Sequence, residues 1–183
     1  MVTGEAIRGV AERVDYKGEI LLPIDDAEVE EVVRELVEGK KLEAIAVCFL
    51  WSFYNDENER RVGDIIKRIA PNTYVTLSSD IAPSQGEYER TSTTVINAYA
   101  GRVARDYITN LQELLAGQGY DGPLLVMQGY GGLLPAGEAA DRAVGMLECG
   151  PAAGVIGAKA LGDLMGVDNI IAADMGGTTF KVG

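Results

Sequence analysis

One stretch of this sequence constrains the fold more than any other. Ala44 to Trp51 is a continuous apolar run set between two segments of helical periodicity. Its length and its position between helices predict a strand buried on both faces. Before it, Val29, Val32, Val33, Leu36 and Val37 recur at helical spacing, and after it Val62, Ile65, Ile66 and Ile69 do the same. A second strand is expected over 73–78, with Val75 and Leu77 on one face. The order helix, strand, helix, strand predicts an α/β layer with parallel pairing.

Boundary signals sharpen the remaining elements. Glu19 to Ile24 reads as a short extended segment, and Asp25 opens the first helix. Asp25 and Glu28 have the spacing of a capping box, with Asp in the Ser/Thr position. Gly39 and the pair Lys40-Lys41 close that helix, where cations suit the negative end. The second helix starts near Asn55 and stops at Pro71. A loop is expected over 80–87, followed by a long helix from Glu89 to Ala116. Its stripe comprises Ile96, Tyr99, Val103, Tyr107, Leu111 and Leu114, and Gly117 and Gly119 end it. A third strand is expected over 123–128, a glycine-rich turn over 129–135 and a short helix over 136–143. Pro151 starts a small-residue helix reaching about Met165. A fourth strand, 167–173, runs into Asp174. There is no internal repeat and no low-complexity stretch.

Composition removes several function classes. The 183 residues include no histidine, so no Ser-His-Asp triad, Cys-His pair or His-ligated zinc is available within them. A net charge of -12 opposes non-specific binding to nucleic acid or to an anionic membrane. No apolar run is long enough to span a bilayer. The two cysteines, Cys48 and Cys149, have no CxxC spacing and do not read as a disulfide framework. With no signal peptide at the N-terminus, they point to the cytoplasm.

Three motifs could carry chemistry. In Ala173-Asp174-Met175-Gly176-Gly177-Thr178-Thr179 an apolar strand delivers a carboxylate, two glycines and two hydroxyls in one turn. Gly176 and Gly177 would let phosphate oxygens approach backbone N–H groups. Thr178 and Thr179 could donate further hydrogen bonds, and Asp174 could hold Mg²⁺ directly or through water. The turn is not a Walker A loop. The same residues equally fit a plain hairpin turn, where Gly-Gly is common, and the motif alone leaves both readings open. In Glu148-Cys149-Gly150-Pro151-Ala152-Ala153-Gly154-Val155-Ile156-Gly157-Ala158 the small residues, Gly150 and Gly154 among them, allow either close helix packing or a nucleotide at the helix start. Alone, packing is favoured. Glu87 to Tyr99 enters the long helix with a dense polar face, read as a capped helix entrance with Thr91 or Ser92 as cap and an Arg90–Glu87 pair.

These motifs in this order, with Val126-Met127-Gln128 before a glycine turn, resemble the hydantoinase A/5-oxoprolinase family. Arg13 to Glu19 and Ala44 to Cys48 extend the likeness upstream, so it covers essentially the whole chain. The resemblance implies part of an actin-like (ribonuclease H-like) ATPase fold, a parallel or mixed sheet flanked by helices. It implies ATP and Mg²⁺ as cofactors and a cyclic amide (hydantoin or 5-oxoproline) or ketone as substrate. It also implies a hydantoinase B-type partner subunit, while the net charge of -12 argues against a nucleic acid or membrane partner. Asp174, Gly176, Gly177, Thr178 and Thr179 match the family's second phosphate motif, and Gly150 to Ala158 match its connecting helix. Residues 1–86 would be the back part of the N-terminal region and 87–183 the start of the ATPase region. Two positions depart from the pattern. Lys181 stands where many members have an acid, which leaves a non-catalytic nucleotide-binding module as an alternative to the hydrolase and carboxylase readings, and Gly129-Tyr130 replaces a common Ser-Asn. The family's first phosphate motif should lie before residue 1 and its second lobe after Gly183, so an internal fragment, inactive in isolation, is expected.

Overall fold

A computed structural model describes residues 2–183. The chain forms two compact units, the first ending at Val103 and the second beginning at Ala104.

The first unit opens with an antiparallel hairpin, β1 (Arg13–Val14) and β2 (Ile20–Leu22). Asp15 Oδ1 accepts from the N–H groups of Lys17 (2.8 Å) and Glu19 (2.9 Å), which fixes its turn. Gly18 sits there at φ +81°, and a Cβ on it would lie 2.5 Å from the Tyr54 ring. Helix α1 (Asp26–Arg34) is capped as expected, with Asp25 accepting from Ala27 N–H at 2.8 Å. The reciprocal half of the capping box is not made. The Glu28 carboxylate instead accepts from the Ala11 N–H at 3.2 Å, which spends it on tertiary structure. The helix widens into a π-helical turn over Glu35–Gly39 before the lysine pair.

Strand β3 (Ala44–Val47) pairs in parallel with β4 (Tyr74–Leu77), and α2 (Glu57–Ile69) makes the crossover. Asn55 fixes the start of α2. Its Oδ1 accepts from Glu57 N–H at 3.0 Å while its Nδ2 donates to the Gly18 carbonyl at 2.8 Å. One sheet face packs on α1 and α2 through Ile24, Val29, Val33, Ile45, Val47, Val62, Ile65, Ile66 and Leu77. The expected βαβ order is therefore present. The apolar run ends as a strand at Val47, earlier than its length predicts, because its partner β4 ends at Leu77, directly opposite.

A short helix, α3 (Ser78–Ile81), occupies part of the expected loop, and α4 (Glu87–Gly117) follows. The stripe expected to bury α4 does not. Tyr99 is 83% exposed and Val103 73%, and Ile96, Tyr107 and Leu114 are also exposed. The buried face in this unit is polar: Arg90, Thr94 and Asn97, with Ala98 and Gly101. It covers the second sheet face, where Asn97 Nδ2 donates to Thr76 Oγ1 at 3.1 Å. Gly101 lets the helix approach the sheet, since a Cβ there would lie 2.1 Å from the Tyr74 ring. The sheet face itself presents Tyr74 and Thr76, so hydrogen bonding rather than apolar burial selects the face of α4 that docks.

In the second unit, β5 (Leu125–Met127) and β6 (Leu133–Pro135) form an antiparallel hairpin. Its turn uses Gly131 and Gly132 at φ +92° and +84°. Helix α5 (Ala136–Asp141) places Ala136, Ala139 and Ala140 against Ile108, Leu124, Val126 and Leu134. After a 3₁₀ turn (Ala143–Met146) comes α6 (Cys149–Met165). The expected strand over 167–173 is not formed. The paired strand is β7 (Ala173–Met175), antiparallel to β8 (Phe180–Val182). The class is thus α/β with mixed pairing, one parallel pair and three antiparallel ones.

Candidate functional site

The Asp174 motif closes a hairpin. Gly176 N–H donates to the Thr179 carbonyl at 2.9 Å, and Asp174 pairs directly with Lys181 across the strands. The plain-turn geometry is therefore present. It does not account for the glycines. A Cβ on Gly177 would meet nothing within 4 Å, and one on Gly176 only the Thr179 carbonyl at 3.7 Å. Neither has a positive φ. No hydrogen bond among the described residues engages the Thr178 or Thr179 hydroxyl or the Asp174 carboxylate.

Beside the hairpin, α6 and the chain before it form a cleft of about 410 Å³. Gly129, Glu148, Pro151, Gly154, Ala158, Asp174 and Lys181 line it. Of the residues singled out from sequence, Asp174 and Gly154 face this cleft together. Gly150 lies in the first turn of α6, outside the lining, and Gly176, Gly177, Thr178 and Thr179 lie in the turn beyond it. Close helix packing does not explain the first three α6 glycines either. A Cβ on Gly150, Gly154 or Gly157 would meet nothing within 4 Å, whereas one on Gly162 would lie 1.8 Å from Ile170 Cδ1. Gly129 is also required, since a Cβ there would lie 2.1 Å from the Leu147 carbonyl oxygen.

Glu148 opens the second sequence motif, which gives it no role of its own. It stands at the N-cap position of α6 with φ +59° and makes no side-chain cap. Its carboxylate instead pairs with Lys181 Nζ. The hairpin register was the available signal. Counting outward from the Gly176–Thr179 turn places Lys181 opposite Asp174, and a lysine so placed needs its charge accounted for.

The donor set suits a nucleotide phosphate with a hard cation. An uncommitted carboxylate, two free hydroxyls and the open Gly177 N–H are groups of the type such a ligand uses, while the Gly176 N–H is spent on closing the hairpin turn. Among the described residues no cluster of three acidic or cysteine ligands exists, so a cation held here would take its other ligands from phosphate and water.

A second polar cluster lies in the first unit, at the C-terminal ends of β3 and β4. Glu59 is fully buried. It accepts from Phe49 N–H (2.8 Å), Ser79 N–H (2.9 Å) and Ser78 Oγ (2.6 Å). Arg90, 1% exposed, donates to Ser78 Oγ (3.1 Å) and to the carbonyls of Ser84 (3.2 Å) and Phe49 (2.7 Å). This corrects the expected Arg90–Glu87 pair and the cap at Thr91 or Ser92, because α4 begins at Glu87 and Arg90 points inward. Burial pushes the neighbouring Cys48 thiol up, against smaller opposing effects of Thr94 and Thr91. It is a poor nucleophile at neutral pH.

With this geometry in place, the comparisons define the class. The Hydantoinase/oxoprolinase family matches residues 90–183, and its N-terminal region matches residues 1–70. The chain belongs to the hydantoinase/oxoprolinase family. It is 32% identical to caprolactamase subunit alpha of Pseudomonas jessenii, over 96% of this chain and 25% of that protein. It is 34% identical to the acetone carboxylase beta subunit of Xanthobacter autotrophicus, over 100% of this chain and 26% of that one. Nucleotide-free acetone carboxylase superposes with a TM-score of 0.83 at 33% identity, over 96% of this chain and 25% of that chain. The chain therefore spans about a quarter of the length of the relatives it matches. No helix among the described residues is long and apolar enough to cross a membrane.

Proposed function

We propose that this chain is part of an ATP-dependent enzyme that opens a cyclic amide by phosphorylating its carbonyl oxygen. The observation that carries the reading is the uncommitted Asp174 carboxylate on a cleft floored by Gly154 and Ala158, in a family that includes a caprolactamase. Asp174 holds Mg²⁺, directly or through water. The Thr178 and Thr179 hydroxyls and the Gly177 N–H orient phosphate oxygens, Gly176 leaves their approach clear of a side chain, and Gly150 and Gly154 keep the start of α6 open to the nucleotide. ATP held there would supply its terminal phosphoryl group to the carbonyl oxygen, leaving ADP. This would activate the carbonyl carbon for attack by water and rupture of the ring C–N bond, the phosphate being released by hydrolysis of the acyl phosphate so formed. Positioning and charge neutralisation dominate such transfers, so the absence of histidine is no obstacle.

Residues 87–183 are, in this reading, the start of the actin-like ATPase region. The protein works in the cytoplasm with a hydantoinase B-type subunit, and the isolated chain does not turn over. The two relatives named as subunits support a multi-subunit assembly. A second reading, the ATPase subunit of a ketone carboxylase, is supported by the acetone carboxylase relative.

ATP turnover by the full natural protein with its partner subunit separates the two. Stimulation by hydantoin, 5-oxoproline or caprolactam supports amide opening. Stimulation only by acetone or acetophenone with bicarbonate replaces it with carboxylation. Asp174→Ala is expected to lower turnover by about a hundredfold or more in either case, as loss of a phosphate- or metal-side group does. Unchanged turnover removes Asp174 from the site.

A further inference from the structure

Lys181 faces two carboxylates and takes the less obvious one. Asp174 lies directly opposite it in the antiparallel register, where side chains share a face and opposite charges pair by default. Lys181 Nζ instead donates to Glu148 Oε2, and Asp174 is left with no hydrogen bond or ion pair among the described residues. Glu148 makes this contact from a left-handed backbone, unfavourable for a residue with a Cβ, and it forgoes capping α6. All three side chains line the same cleft.

We propose that Glu148 is a positioning residue that draws Lys181 off Asp174 and so keeps the Asp174 carboxylate available to metal-bound nucleotide. This rests on the nucleotide reading given above. Both ion pairs open to Lys181 are solvent-accessible and individually weak, so a small bias decides which one forms. With Glu148 neutral, Lys181 falls back on its cross-strand partner, and an incoming cation must displace it. In the native arrangement Lys181 is held by Glu148. Its charge is stored on Glu148 rather than spent on Asp174.

Equilibrium titration of the full natural protein with Mg·ATP, followed by calorimetry, tests this without reference to turnover. Asp174→Asn is expected to weaken binding by about tenfold or more, and Glu148→Gln by about fivefold, the scale of one exposed ion pair. The double variant Glu148→Gln/Lys181→Met is expected to recover to within about twofold of wild type, because the competing cation is gone. Such recovery cannot come from a misfolded protein. Wild-type affinity in Glu148→Gln, or a double variant no tighter than Glu148→Gln, overturns the proposal while leaving the nucleotide reading intact. Wild-type affinity in Asp174→Asn overturns both.

Discussion

Arg90 uses all three of its guanidinium nitrogens, on Ser78, Ser84 and Phe49, while 1% exposed. Lysine keeps the charge but lacks the fork. Arg90→Lys is therefore expected to destabilise the first unit by about 3 kcal/mol in urea unfolding, the cost of breaking a buried charged network. A loss below about 0.5 kcal/mol, the range of ordinary surface substitutions, would show that the network is not holding α4. Cys48 offers a test of burial. With its thiol pushed up by desolvation, its alkylation should rise with pH only at higher pH than that of a free cysteine. Mass-resolved iodoacetamide labelling between neutral and alkaline pH reads this, and a profile matching free cysteine would contradict it. The burial of Cys48 follows from its place in the apolar run, but the role of Arg90 is not legible in the sequence. Arg90 sits one helical turn from Glu87, and local spacing favours a surface pair. Its inward orientation is set by Phe49 and Ser78, which are distant in sequence.

Helix α4 shows where periodicity misleads. Ile96, Tyr99, Val103, Tyr107 and Leu114 form the more apolar stripe, yet this stripe is exposed and Thr94, Asn97 and Gly101 are buried. Substitution separates the two faces. Tyr99→Glu and Val103→Lys are expected to leave unfolding free energy within about 0.5 kcal/mol of wild type. Gly101→Val should cost several times that, because its Cβ would lie 2.1 Å from the Tyr74 ring. Thermal melts of the three variants decide the matter, and the reverse ranking would place the helix the other way round. By contrast, the buried faces of α1 and α2 are readable from sequence. Their apolar stripes face an apolar sheet surface, so one-dimensional periodicity and three-dimensional burial coincide. Candidate site residues divide in the same way. Asp174 and its turn are marked by local composition, while Glu148 enters through a backbone conformation and a partner that no local pattern records.

Each unit has its own apolar core, one around Ile66 and Val29, the other around Ile108 and Ala139. Ile66→Ala, at a position with no exposed surface, is expected to cost about 2–5 kcal/mol. If the units unfold independently, calorimetry of this variant will show one transition lowered and a second unmoved. A single transition that shifts as a whole would instead report tight coupling. Helix α4 belongs to both units, running from Glu87 to Gly117 with the division falling at Val103 and Ala104. Its backbone is one unbroken ladder, but its two halves are held by different cores. Amide protons along this single helix should therefore exchange on two timescales, with a step near the middle, and destabilising Ile66 should raise exchange on the N-terminal side of that step alone.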